Sequence, residues 1–264
     1  MSQPPEQALR QLLEVMAQLR DPRSGCPWDL AQDFASIVPY TLEEAFEVAD
    51  AIERGEPAAI RDELGDLLFQ VVFHARLGEE RGWFDFAAVA AGIADKLRRR
   101  HPHVFADATR ADAATQGVEW ERIKAAERGA AGARGALDGI ARALPALSRA
   151  AKLGRRAGRV GFDWPDAAGV RDKVCEELAE VDEVLASGAA SQRRAEELGD
   201  LLFAVANWSR HLGVDAEEAL RAANHKFERR FAVMEALARS RGLDLAGLSA
   251  ADWEGLWQEA KRGG

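Results

Sequence analysis

Hydrophobic side chains recur along this chain at the spacing that amphipathic helices produce. Near the start, Leu9, Leu12, Leu13, Met16 and Leu19 follow the i, i+3, i+4, i+7 pattern. Alanine, leucine, glutamate and arginine, which favour helices, are frequent throughout the chain. No stretch shows the regular alternation of apolar and polar residues that indicates a strand. The pattern therefore predicts an all-α protein.

One seven-residue string, ELGDLLF, occurs twice, at 63–69 and at 197–203. Four other short strings accompany it in the same order in both halves. The first half carries GCPWD, EEAFE, ELGDLLF, KLRRR and WERIK, and the second carries GFDW, EELAE, ELGDLLF, KFERR and WQEAK. This repetition indicates an internal duplication whose period is too long for a solenoid. It predicts two tandem helical-bundle domains.

A glycine- and alanine-rich segment, GAAGARGALDG at 129–139, predicts the linker between the two domains. Its glycines would each weaken the interior of a helix. The predicted domains are therefore 1–128 and 140–264.

The second half carries two pairs of acids at helical spacing. Glu177 and Glu180 lie three residues apart and share a helix face, and Glu197 and Asp200 repeat the spacing. The turn-like SGAAS at 187–191 separates the two pairs, so an antiparallel hairpin would bring them together. After Asp200 the sequence continues as LLFAVANW, which is apolar all round and predicts a buried helix.

Four carboxylates in one place repel each other unless a cation binds among them. Mg²⁺ prefers oxygen ligands, and Mn²⁺ can substitute for it. No histidine follows a glutamate at the Glu-x-x-His spacing of di-iron bundles, so iron is disfavoured. The alternative is a solvated acidic helix face. The first half repeats the pattern and predicts a second, weaker metal site at Glu44, Glu47, Glu63 and Asp66.

Cations and an aromatic residue complete the predicted site. Lys226, Arg229 and Arg230 lie within about one turn of a helix and could bind phosphate groups. Trp257, with Lys261 one turn later, could stack on a nucleobase. Taken separately, these would be a surface basic turn and a core tryptophan. Together with a metal they predict a site for a nucleoside polyphosphate.

Composition and charge disfavour some classes of function. The formal net charge of −9 disfavours general nucleic-acid binding and membrane-surface binding, and the basic string RRRHPH at 98–103 is short. No apolar run approaches the roughly 20 residues of a membrane span, and the start of the chain has no signal-peptide core. These features predict a cytoplasmic protein with no nucleic-acid or membrane partner.

The ordered strings EExxE and ExxD, with CPWD, PYTLEEAFEV, RRHPHVF, VGFDW and KFERRF around them, resemble the MazG family of all-α nucleoside triphosphate pyrophosphohydrolases. The resemblance covers nearly the whole chain. It implies two tandem duplicated helical-bundle domains in a homodimer. It also implies Mg²⁺-dependent hydrolysis of ribo- and deoxynucleoside triphosphates to the monophosphate and pyrophosphate, carried out by the C-terminal domain.

The resemblance also implies roles for individual residues. The metal ligands it implies are Glu177, Glu180, Glu197 and Asp200. As a hypothesis about the mechanism, the catalytic set, with the cations that assist it, is Glu176, Glu177, Glu180, Lys226 and Arg230. The nucleotide-binding set is Lys173, Val174, Cys175, Glu176, Glu177, Arg193, Arg194, Ala195, Glu196, Asp200, Lys226, Phe227, Glu228, Arg229, Arg230, Trp257 and Lys261.

The two halves differ at one informative position. Arg193 lies four residues before the ELGD glutamate of the second half, at a place that is commonly lysine in the family. Ala59 occupies the equivalent place in the first half. The N-terminal domain is therefore predicted to bind metal but to be weakly active or inactive, with a regulatory or dimer-forming role.

The predicted reaction is attack of a metal-activated water on the α-phosphorus, with Glu176 or Glu177 as the base and one or two Mg²⁺ ions. Three alternatives stay open from the sequence. One is a non-catalytic nucleotide-sensing partner protein, and another is a purely structural helical dimer. The third is an enzyme selective for dCTP or dUTP.

Overall fold

The structure, a computed structural model, describes residues 3–106, 112–130 and 135–263, and the regular secondary structure within these ranges is helical. The all-α prediction is confirmed. The chain divides into two compact units, 1–123 and 124–264. Of the helices in the described ranges, none is long and apolar enough to cross a bilayer.

Unit 1 is built around an antiparallel hairpin of two long helices. Gly55, with φ of +69°, ends the first of them in the left-handed conformation that glycine adopts without strain. The core beneath the hairpin consists of Met16, Ile37, Val72, Phe73 and Leu77. The helices that begin in this unit are α1 Pro5–Leu19, α2 Pro27–Ala31, α3 Phe34–Arg54, α4 Pro57–Glu80, α5 Phe86–Arg100, α6 Pro102–Phe105 and α7 Ala113–Ala130.

Helix α7 includes Gly129 and Ala130, the first two residues of the predicted linker. Residues 131–134 of that linker lie outside the described residues. From 135 the chain forms turns, with Gly139 at a φ of +75°, before the next helix begins at Ala146. The predicted domain limits at 128 and 140 stay predictions.

Unit 2 repeats the hairpin and adds a second helix pair. Alanines at 150, 206 and 216 form one small core, and Met234, Ala238, Leu256 and Ala260 form another. The helices are α8 Ala146–Gly158, α9 Ala167–Ala186, α10 Ser191–His211, α11 Ala216–Ser240 and α12 Ala250–Gly263, with a 3₁₀ turn at Leu245–Gly247.

Local capping explains where the hairpin of unit 2 begins and turns. The side chain of Asp166 accepts a hydrogen bond of 2.9 Å from the backbone N–H of Gly169 and so caps the start of α9. Gly188, with φ of +66°, permits the turn between α9 and α10. The predicted turn at 187–191 therefore separates the two helices that carry the acid pairs.

The predicted burial of α10 is wrong for one of its faces. Leu198, Leu202 and Phe203 are 49%, 51% and 40% exposed, whereas Ala204 and Ala206 are buried. Helices α8 and α9 and the start of α11 cover only one side of α10. The apolar residues on its other side therefore form an open surface in this chain.

A polar network joins the far end of α10 to the loop before α9. Asp163, in the GFDW string, accepts hydrogen bonds from the Arg210 guanidinium at 2.5 Å and from His211 Nε2 at 2.9 Å. Arg210 Nε also donates to Oδ1 of the buried Asn207 at 2.7 Å. Because α9 follows this loop, the network helps to fix α9 against α10. It lies about 15 Å along α10 from Asp200, at the 1.5 Å rise per residue of a helix.

Candidate metal and nucleotide site

Three carboxylates meet where α9 and α10 pack side by side. Oxygen atoms of Glu177, Glu197 and Asp200 all lie within 4.8 Å of one another. Glu177 is 6% exposed, Glu197 is half-buried and Asp200 is exposed, so the group lies at the edge of the hairpin. Three oxygen donors at this separation can bind one divalent cation.

Glu180, the fourth predicted ligand, is not a member of this close group. Glu180 lies near enough for the charges of the group to change its pKa. Partial desolvation raises the pKa of Glu180, and the charges of Glu177 and Glu197 raise it further. Its place as a metal ligand stays a prediction.

One carboxylate oxygen of the group has no partner. Oε2 of Glu177 is buried and makes no hydrogen bond in the structure. A buried acceptor without a partner costs free energy, and more when the group is charged. Mg²⁺ takes its ligands from hard oxygen donors such as carboxylates. The donor set and the unpartnered oxygen therefore fit a magnesium ion.

Two cations lie beside the group. Lys173 Nζ lies 2.8 Å from Glu177 Oε1 and 2.7 Å from Glu176 Oε1. These hydrogen bonds raise the pKa of Lys173. Arg193 Nε lies 3.7 Å from Glu197 Oε1, a looser contact. The i, i+4 spacing of Lys173 and Glu177 predicts their pairing on one helix face.

The remaining predicted nucleotide residues on these two helices flank the group. Val174 is half-buried and Cys175 is exposed on α9. Arg194, Ala195 and Glu196 are all exposed in the first turns of α10.

The predicted aromatic and basic residues come together on α11 and α12. The guanidinium of Arg230 lies 5.6 Å and the ammonium of Lys261 5.5 Å from the centre of the Trp257 ring. The Phe227 ring lies 5.7 Å from the same ring. Both cations are within the range of cation–π attraction. The structure therefore brings these residues into one cluster.

The basic cluster and the carboxylate group are two separate subsets in the structure. Lys226, Glu228 and Arg229 are exposed on α11. In the described part of the chain, no ion pair joins Lys226, Arg229 or Arg230 to the three carboxylates. A common ligand would have to span them.

Unit 1 contains a related acid group, to which no ion pair of the described residues joins a cation; the predicted ligand Asp66 is not a member of it. Oxygens of Glu44, Glu47 and Glu63 lie within 4.8 Å of one another. Burial raises the pKa of Glu44, and the charges of Asp66 and Glu47 raise it further. Tyr40 stands four residues before Glu44, where unit 2 has Lys173 before Glu177.

Sequence reasoning gave no role to the residues that hold the hairpin together. The GFDW string contains Asp163, and it indicates the duplication and the family resemblance but no contact of this side chain. Its partners Arg210 and His211 are 47 and 48 residues away. No spacing rule connects positions so distant in the chain, so only the fold reveals the contact.

Comparison with known proteins shows extensive similarity. The model of the MazG nucleotide pyrophosphohydrolase domain matches residues 32–105 and 168–232. The nucleoside triphosphate pyrophosphohydrolase of Escherichia coli (strain K12) is 51% identical over 252 residues, covering 95% of this chain and 96% of that protein. The nucleoside triphosphate pyrophosphohydrolase/pyrophosphatase MazG of Thermotoga maritima is 42% identical over 253 residues, covering 96% and 95%.

A more distant relative aligns over less of its length. The nucleoside triphosphate pyrophosphohydrolase of Mycobacterium tuberculosis is 34% identical over 163 residues, 61% of this chain and 49% of that protein. The two segments matched by the family model contain the carboxylate groups of both units. Trp257 and Lys261 lie beyond the second segment.

Proposed function

Because this chain belongs to the MazG nucleotide pyrophosphohydrolase family, we propose that it hydrolyses nucleoside triphosphates to the monophosphate and pyrophosphate, with Mg²⁺ as cofactor and Mn²⁺ as a substitute. The observation that carries this proposal is the close group of Glu177, Glu197 and Asp200 with an unpartnered buried oxygen. An all-oxygen donor set of this kind suits a cation that also binds phosphate.

Glu177, Glu197 and Asp200, with Glu180 beside them, would hold the magnesium. When bound, the ion neutralises charge on phosphate oxygens and makes a water molecule more acidic. Glu176 or Glu177 accepts the proton of the water that attacks the α-phosphorus. The new oxygen–phosphorus bond forms as the bond from the α-phosphorus to its bridging oxygen breaks. Pyrophosphate leaves with that oxygen.

The cations of the site stabilise the leaving group. Lys226, Arg229 and Arg230 are fixed positive charges on one helix, and Lys173 and Arg193 lie beside the carboxylates. Negative charge grows on the pyrophosphate as the bond breaks, and nearby cations favour that state. These side chains therefore contribute mainly to the rate and to triphosphate binding.

The Trp257 cluster supports acceptance of many bases. A base that stacks on this ring gains contact area whichever base it is, because every base has a flat π-face. Arg230 and Lys261 lie near the ring and could also contact the phosphates or the sugar. We therefore propose that both ribo- and deoxynucleoside triphosphates are substrates.

The test is product analysis with a panel of nucleoside triphosphates in MgCl₂ and ¹⁸O-labelled water. We expect pyrophosphate as the phosphate product and the label in the monophosphate, because the water attacks the α-phosphorus. A chelator in place of magnesium should stop the reaction. Release of orthophosphate, or label in the pyrophosphate, would contradict the proposed reaction.

The same assay addresses the alternative of a non-catalytic nucleotide-sensing protein. Such a protein would bind a triphosphate tightly in magnesium and leave it intact. Turnover of one or two nucleotides only would identify an enzyme selective for dCTP or dUTP.

The open apolar faces support a homodimer. In unit 2, Leu178 and Leu185 on α9 and Leu198 and Leu202 on α10 are each about half exposed. Contiguous exposed apolar side chains of this kind mark association surfaces, and symmetric pairing of two copies would cover them. We propose that this surface of α9 and α10 lies in the dimer interface.

Leu202→Asp is expected to convert the dimer to monomers. A carboxylate at the centre of an apolar interface would lose its hydration without gaining a partner. Sedimentation velocity at low micromolar concentration measures the change. Val160→Asp serves as a matched control, since Val160 is 68% exposed in the loop after α8 and should leave the dimer intact. A Leu202→Asp protein that sediments as the wild type would place the interface elsewhere.

A further inference from the structure

Lys173 binds a carboxylate, that of Glu177, for which a metal ion would compete. Its ammonium lies 2.8 Å from one oxygen of Glu177, while the other oxygen of the same carboxylate is buried without a partner. The Glu177 side chain is only 8% exposed and that of Lys173 is 32% exposed. Among the ion pairs of the described residues, the one with Lys173 compensates the charge of Glu177.

A divalent cation among the three carboxylates would change this balance. It would take over the compensation of Glu177 and would lie close to the Lys173 ammonium, which it repels. A lysine is a point charge on a flexible four-carbon stem, so its ammonium can leave one partner and reach another. The triphosphate would then offer anionic oxygens close to the metal.

We propose that Lys173 couples the binding of magnesium to the binding of nucleotide. When Lys173 is paired with Glu177, it weakens the binding of magnesium without nucleotide. When magnesium displaces it from Glu177, the Lys173 ammonium binds the triphosphate. This inference rests on the proposed function, because it requires a site shared by metal and triphosphate. Coupling is reciprocal, so nucleotide strengthens magnesium binding by the same factor as magnesium strengthens nucleotide binding.

Unit 1 also has a close group of three acids, of which Glu44 and Glu63 match Glu177 and Glu197, but it has no lysine at the matching position. Tyr40 stands where Lys173 stands, and in the described ranges no ion pair involves Glu44, Glu47 or Glu63. The acid pattern therefore does not by itself require a lysine. The cation beside Glu177 is a separate feature of unit 2.

The experiment titrates full-length protein with MgCl₂ alone by isothermal calorimetry. Every protein carries Glu44→Gln, so that the acid group of unit 1 contributes little to the signal. In this background Lys173→Met should bind magnesium about five- to tenfold more tightly, the lower range of typical coupling. Lys173→Arg should keep most of the reference behaviour, because it keeps the charge.

Arg171→Met is the matched control. It removes one positive charge from the same helix, but Arg171 is exposed and its ion pair of 3.8 Å is with Asp172. Its magnesium affinity should change less than about twofold, because charges separated through solvent are screened. Lys173→Gln, which keeps a hydrogen-bond donor for Glu177, replaces Lys173→Met if that variant does not fold.

The second titration uses a nucleoside triphosphate whose α,β-bridging oxygen is a methylene group, with and without magnesium. The coupling factor is the ratio of the analogue's affinity with magnesium to its affinity without magnesium. This factor should be above one in the reference protein and at least about fivefold smaller in Lys173→Met. Equal or weaker magnesium binding by Lys173→Met would overturn the inference, as would an unchanged coupling factor. Absence of pyrophosphate release by the wild-type protein would instead refute the proposed function.

Discussion

Glu177→Gln is expected to lower the rate of pyrophosphate release by about a thousandfold, the upper range for loss of one group that stabilises a transition state. The glutamine keeps the shape of the side chain but removes a charge from the centre of the carboxylate group. It also leaves Lys173 with only one of its two negatively charged partners. The measurement is the rate at saturating magnesium and triphosphate.

Glu44→Gln is the matched control, because Glu44 occupies the same place in the acid group of unit 1. Its rate should stay within about twofold of the wild type, since we propose that unit 2 carries the activity. Equal losses from the two substitutions would show that both units catalyse. A wild-type rate for Glu177→Gln would exclude the three-carboxylate group as the metal site.

The difference between the units has a physical basis in their cations. In unit 2, Lys173 and Arg193 contact the carboxylates, whereas Tyr40 and Ala59 fill the equivalent places in unit 1. A metal could still bind to the acids of unit 1, but a triphosphate would meet fewer positive charges there. We therefore propose a regulatory or dimer-forming role for unit 1.

The sequence was sufficient to predict the all-α fold and the duplication. Both depend on local information: helical periodicity for the fold, and repeated strings such as ELGDLLF for the duplication. The approach of Glu177 to Glu197 and Asp200 also followed, because a short turn forces neighbouring helices to pack side by side. These features needed no knowledge of contacts between distant parts of the chain.

Features that depend on which face of a helix is covered could not be predicted. The string LLFAVANW is apolar all round, yet Leu202 and Phe203 are exposed, because the helices of this unit cover one side of α10 only. The membership of each close group could not be predicted either. Glu180 lies outside the group of unit 2, whereas Glu47, at the matching position of unit 1, lies inside its group.

Arg210→Met is expected to lower the free energy of unfolding of unit 2 by about 3 kcal/mol at pH 7. Arg210 holds Asp163 and the buried Oδ1 of Asn207 at the same time. With methionine at this position, Asp163 and Asn207 would each lose one hydrogen-bond donor. Denaturant unfolding followed by tryptophan fluorescence measures the change. Arg155→Met, at an exposed position of α8, is the control and should shift the midpoint little.

The pH dependence distinguishes loss of this contact from a general packing defect. Hydrogen bonds from Arg210 and His211, with the Arg210 charge, lower the pKa of Asp163 from 3.8 to about 2. A carboxyl whose pKa is lower in the folded state stabilises the protein above its unfolded pKa. That contribution, about 1 kcal/mol because Asp163 is partly exposed to solvent, disappears as the pH falls from about 4 towards 2. The difference between wild type and Arg210→Met should therefore shrink over this interval, leaving only the part due to Asn207. A difference that stays constant down to pH 2 would show that Arg210 acts mainly through packing and that the Asp163 contact contributes little.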